Sequence, residues 1–101
     1  MVLLKHEEDD FIECLYDSSN VLGSKFLKKE KKLAVIFKSG TQYVYNNVTN
    51  EDYRQFESSD SQGKLLNTVI KKYTFEKSKN IIDVTPMLEQ INVIKNTIWT
   101  H

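Results

Sequence analysis

Apolar and polar residues alternate through the first half of this chain, whereas in the second half apolar positions recur every three or four residues. Leu33, Val35 and Phe37 interleave with Ala34, Ile36 and Lys38, which predicts a strand that is mostly buried near its start. Val21 to Leu27 is strand-like but broken by Gly23, and Lys28-Lys29-Glu30-Lys31 makes a turn. Ser39-Gly40 supplies a tight turn because glycine tolerates positive φ. Tyr43-Val44-Tyr45 then returns with both tyrosines on one face. The economical reading is a three-stranded antiparallel meander. Residues 1–10 read as a polar lead-in, with Glu7 to Asp10 too charged to be buried. Phe11 to Tyr16 suits either an edge strand or one helical turn.

In the second half, Thr49 is placed to cap a helix, with Asp52 three residues on completing a capping-box-like start. Tyr53 and Phe56 on that helix would face the sheet. Ser61 caps a second helix whose apolar positions are Leu65, Leu66, Val69, Ile70 and Tyr73. Asn80 to Val84 reads as one more short strand. Pro86 then opens a helix over about 86–99, striped by Met87, Leu88, Ile91, Ile94 and Ile98 with Trp99 beside them. The fold class is therefore α+β: an antiparallel sheet of three to four strands packed by two helices, plus an extra C-terminal amphipathic helix. That last stripe suits packing on the open face of its own sheet, or a seam with a second copy of the chain.

Composition narrows the function. At 101 residues the chain is one domain with a stability of only about 5–10 kcal/mol, so shallow recognition is expected rather than a large cavity. The formal charge is zero but unevenly placed: residues 1–17 carry a net −5, residues 25–38 a net +5 and residues 61–79 a net +4. A neutral total argues against coating of nucleic acid and leaves room for a local anion site. Cys14 is the single cysteine and reads as a small buried hydrophobe. The two histidines, His6 and His101, are far apart, so no metal-ligand spacing exists and no cofactor is expected. Apolar runs of at most five residues and no leader-like start predict no membrane span and a cytoplasmic protein, in a bacterium or a phage-infected host cell.

Residues 18–73 resemble a known family. Ser18-Ser19-Asn20-Val21 opens the stretch, and a Leu33-x-Val35-x-Phe37-x-Ser39-Gly40-x-x-Tyr43-x-Tyr45 hairpin follows. Val48, a helix with Tyr53, and Ser61-x-Gly63-x-x-x-Asn67 backed by Ile70 and Tyr73 complete it. This order and spacing are similar to the KTSC domain, found at the C-terminus of some lysyl-tRNA synthetases and in small stand-alone proteins of bacteria and phages. The resemblance leaves residues 1–17 as an acidic N-terminal extension and 74–101 as a C-terminal extension. Two positions depart from the family pattern. Lys64-Leu65-Leu66 stands where aromatics are usual before the Asn, and Thr49 replaces a common proline. The resemblance implies, at most, contact with RNA or a nucleotide.

Two constellations are candidates for binding. Ser61-Gln62-Gly63-Lys64 at a helix start, continued by Asn67 and Lys71, suits a phosphate, with Gly63 admitting the ligand to the backbone. The competing reading is a serine cap and a glycine needed for close helix–sheet packing. Tyr43 and Tyr45, near Phe37, suit base stacking if one ring face is exposed and core packing if both are buried. Ser18-Ser19-Asn20 lacks a positioned base and is read as ending a strand through local hydrogen bonds. The expected function is a non-catalytic binding module for a phosphate-bearing ligand, nucleotide or RNA. Two alternatives stand beside it. One is a phage-encoded oligomeric sponge for cyclic nucleotide immune signals, and the other a protein–protein interaction module that pairs through the C-terminal helix as a homo-oligomer.

Overall fold

Alternation proves to organise more of the chain than the central hairpin. The computed structural model describes residues 1–99, with side chains described to residue 96. His101 and the side chains of Ile98 and Trp99 lie outside the described residues. Six strands run β1 (Val2–Glu7), β2 (Phe11–Tyr16), β3 (Val21–Leu27), β4 (Lys32–Phe37), β5 (Gln42–Tyr45) and β6 (Phe75–Lys77). They form one antiparallel sheet in sequence order. The α+β class is as expected, but the sheet is wider than three or four strands. The polar lead-in is instead an edge strand, its Lys5, His6 and Glu7 exposed as charged edges commonly are. Phe11 to Tyr16 is a strand and not a helical turn.

Two helices, α1 (Asn50–Ser58) and α2 (Gln62–Thr68), cover one face of the sheet between β5 and β6. There Cys14, Tyr16, Phe26, Leu33 and Val35 pack against Val48, Tyr53, Phe56, Leu66 and Ile70. Phe26 and Tyr53 stack with ring centroids 4.4 Å apart, and Tyr16 meets Phe56 edge-on. Burial pushes the Tyr16 phenol well above its ordinary pKa, and its hydroxyl shares a 2.6 Å hydrogen bond with Ser24. Burial raises the Cys14 thiol to about 11, with the Glu57 carboxylate adding to the rise and the Tyr53 hydroxyl opposing it. Such a thiol stays protonated and inert.

On the other face lies α3 (Thr85–Trp99), where Ile91 seats on Leu15 and Leu22 with Met87 and Val84 alongside. The helix therefore spends part of its apolar stripe on its own sheet. Leu22 is the extra residue where the β3–β4 register shifts between Val21 and Gly23, so Gly23 accompanies a bulge rather than a break. A Cβ on Gly23 would meet the Cys14 carbonyl and Met87 at 2.9 Å.

Three further expectations need correction. The second helix does not continue to Tyr73: α2 ends at Thr68 and a 3-10 turn, Ile70–Lys72, follows. Asn80 to Val84 is irregular, and the last strand is Phe75–Lys77. Thr49 does cap α1, accepting from the Asp52 amide at 3.1 Å, and the Asp52 side chain reaches back to the Thr49 side chain but not to the amide that would complete a full box. The Asp52 carboxylate also accepts the Tyr73 hydroxyl, while the Thr49 amide donates to that same hydroxyl oxygen at 3.3 Å.

Gln62 joins the two helices. It is fully buried, and its amide nitrogen donates to the carbonyls of Phe56, Glu57 and Ser59 at 3.2, 3.3 and 2.9 Å. Replacing it by the near-isosteric Met removes all three hydrogen bonds while keeping the volume. Gln62→Met is expected to cost about 1–3 kcal/mol in urea unfolding. A loss below about 0.5 kcal/mol would show that the amide does not hold this junction.

Candidate functional site

The helices stop short of the last two strands, and the site lies in what they leave open. Along β5, Tyr43 and Tyr45 point to the helix-covered face; Tyr45 is buried and Tyr43 half-buried. Across the ladder Tyr45 pairs with Phe75 and Tyr43 with Lys77. The Phe75 ring is 54% exposed, 5.2 Å from Tyr43 and 5.6 Å from Tyr45 between centroids. Phe37 meets Tyr43 edge-on at 5.4 Å. Four aromatic rings thus gather at one end of the face, one of them largely in solvent.

Two adjoining depressions open over this cluster. One, of about 230 Å³, is lined by Tyr43, Tyr45, Gly63, Leu66, Asn67 and Lys71. The other, of about 330 Å³, is lined by Lys38, Ser39, Thr41 and Lys77. Asn20, Phe37 and Tyr43 line both. The β4–β5 turn positions the second lobe. Gly40 has φ +88°, and its amide donates to the Phe37 carbonyl at 2.9 Å. The Lys38 amide reaches the Asn20 carbonyl at 2.8 Å, which holds the turn against the start of β3. Ser18 accepts from the amides of Asn20 and Val21, the strand-ending role expected of it.

Five of the candidate residues from the sequence, Gly63, Asn67, Lys71, Tyr43 and Tyr45, come together in the first lobe. Ser61 and Lys64 are not part of it. The Ser61 hydroxyl is engaged as the cap, accepting from the Lys64 amide at 3.3 Å, and its carbonyl takes the Leu65 amide. Gly63 is not a packing glycine: a Cβ there would meet only the Asn20 side chain, at 4.0 Å. Its smallness widens the groove beside Asn20.

Charge separates around this groove. Lys25, Lys28 and Lys29 of the first basic segment pair with Glu13, Glu7 and Asp10 of the acidic N-terminal strands. Among the described residues Lys38, Lys71 and Lys77 form no ion pair, and the groove lining contains no carboxylate. Lys72 points elsewhere, pairing with Asp52 at 2.9 Å. Burial raises the Tyr45 phenol above its ordinary pKa, so it stays neutral. A groove of aromatic rings, two amide side chains and three unpaired ammonium groups can stack on a planar ligand and attract an anion.

Sequence reasoning missed Lys77 and Asn20 in the groove lining and Phe75 in the aromatic cluster beside it. Phe75-Glu76-Lys77 alternates over only three positions, too few to show as a strand signal. A larger depression, about 460 Å³, lies on the opposite face beside α3, lined by Leu4, Leu15, Ala34, Ile36 and Met87. At its rim Lys25 pairs with Glu13, and the His6 ring lies 3.1 Å from the Glu8 carboxylate. Among the described residues no cluster of metal-ligating side chains occurs. Nor is any helix long and apolar enough to cross a membrane.

Comparison with known proteins gives a consistent picture. The model of the KTSC domain matches residues 17–75. The crystal structure of a KTSC domain protein from Yersinia pestis superposes with a TM-score of 0.62 at 25% identity, covering 65% of this chain and 94% of that one. No curated protein matches the chain. The matched span holds every groove residue named above except Lys77.

Two outcomes follow from this geometry. Gly63→Ala should fold and be more stable by about 0.5–1 kcal/mol, since alanine favours the helix and no atom stands in the way. A lowered melting temperature would restore the packing role. The Tyr73 hydroxyl, then Lys72, hold the Asp52 carboxyl below the usual aspartate range. A carboxyl depressed on folding adds stability above its unfolded pKa of about 3.9, and that stability is lost as pH falls through the lower folded value. Tyr73→Phe should therefore flatten the fall in stability below about pH 4. Unfolding curves from pH 7 to 2.5 that stay parallel to wild type would refute this coupling.

Proposed function

The chain belongs to the KTSC domain family, and from that premise we propose that it is a non-catalytic binding module whose phosphate-bearing ligand, a nucleotide or RNA, lies in the groove over Tyr43. The observation that carries this reading is the pairing of an exposed aromatic surface with lysines that form no ion pair, in a lining without carboxylates, where Lys38 feels Asp17 only at longer range. Base–aromatic stacking is tolerant of sequence and contributes about 1–3 kcal/mol per base. Lysines set around such a platform supply the salt-dependent attraction to phosphate.

The groove side chains also favour holding over turnover. Asn20, Asn67, Ser39 and Thr41 donate and accept hydrogen bonds, and the lysines are cations. Activating a nucleophile or a water requires a positioned base or a metal. The lining supplies neither imidazole nor carboxylate.

This assignment differs from an anion site at the start of α2, and lysine substitutions separate the two. With a radiolabelled or fluorescent single-stranded RNA as probe, Lys71→Glu should weaken binding at least about tenfold and lower the salt slope by about 1. Lys64→Glu, outside the groove lining, should change affinity less than about threefold. The reverse ranking would move the ligand to the helix start, and no binding to nucleotide or RNA by the wild-type protein would end the proposal.

A further inference from the structure

The arrangement of rings and cations specifies more than a phosphate. We infer that the groove takes two unpaired nucleosides joined by a phosphodiester, rather than a mononucleotide or a duplex. This deepens the nucleotide-binding reading and rests on it.

The rings carry the first part of the argument. Tyr43, which lines both lobes, meets the more exposed Phe75 beside them with the ring planes at 80° and centroids 5.2 Å apart. Bases within a helical stack lie parallel, so neighbouring bases of a duplex cannot both lie flat on planes set almost at right angles. Two bases splayed apart can, and splayed bases belong to unpaired nucleic acid. Sheet aromatics that stack two or three splayed bases are an established mode of single-strand recognition.

The cations carry the second part. Lys71 serves the lobe beside Gly63 and Asn67, and Lys38 and Lys77 serve the lobe beside Ser39 and Thr41. Between the lobes stand Asn20, Phe37 and Tyr43, which line both. A mononucleotide has one base and one phosphate group, and it would leave a lobe, a ring and a cation unused. A phosphodiester-linked pair places a base toward each ring and its linking phosphate near the shared wall. Asn20 there offers an amide donor, its side chain 4.0 Å from the open position over Gly63. A short single strand and a cyclic dinucleotide both present this chemistry.

Calorimetric titration of the full chain with four probes tests the inference: adenosine monophosphate, a linear dinucleotide with one phosphodiester, a single-stranded hexanucleotide with its duplex form, and a cyclic dinucleotide. The linear or the cyclic pair should bind at least tenfold more tightly than the monophosphate, and the single strand more tightly than its duplex. Which pair binds better identifies the source, polymer or cyclic signal. Phe75→Leu, at a half-exposed position whose folding circular dichroism will check, should weaken the pair about 5- to 150-fold and remove its advantage over the monophosphate. If the monophosphate or the duplex binds as tightly as the pair, or if Phe75→Leu keeps the advantage, this inference falls while the nucleotide site stands. If no probe binds, the nucleotide reading falls with it.

Discussion

The buried amide of Gln62 decides where the second helix begins, and much of the molecule follows from that placement. By donating to the carbonyls of Phe56, Glu57 and Ser59 it ties down the end of α1, where the Phe56 carbonyl also accepts the Ser59 amide. It also holds the next residue, Gly63, at the edge of the covered face. Carbonyl groups without partners in an apolar setting are costly, so the junction has little freedom to shift. The reach of α1 and α2 over the sheet is set there, and so is the strip of sheet they leave bare. The aromatic groove is that strip.

Charge is arranged by the same sheet. The acidic N-terminal hairpin lies beside the basic β3–β4 turn, and their ion pairs cancel one another near the far edge. Exposed pairs of this kind contribute little stability, but they remove competing positive potential from that end of the molecule. Three of the lysines left without an ion pair, Lys38, Lys71 and Lys77, face the groove. A chain of zero net charge can therefore hold a local attraction for an anion.

Much of this was legible in the sequence, and the rest was hidden for identifiable reasons. Leu33 to Phe37 alternates over a full strand length, and Thr49 and Ser61 precede helical spacing, so the central hairpin and both caps could be read directly. The sheet's outer members could not. Val2 to Glu7 looks polar because an edge strand exposes charges, and Phe75 to Lys77 is too short to show a period. Five of the groove residues, Gly63, Asn67, Lys71, Tyr43 and Tyr45, were visible as candidates through turn and helix signals. Phe75 became part of the platform only through its cross-strand pairing with Tyr45, a contact spanning 30 positions that no local pattern encodes. The family resemblance reached the same central segment, and the two added strands lie at or beyond its margins.

The order of the strands has a consequence for assembly. Each of the first five joins its neighbour through a short local connection, whereas β6 must cross both helices to find β5. The largest single loop-closure cost of the sheet falls on that one pairing. The strand that brings Phe75 and Lys77 to the groove is also its shortest, with three residues exposed at an open edge. Completion of the recognition surface is thereby uncoupled from formation of the hydrophobic interior. Local fraying can dismantle the platform while the rest of the domain stays folded.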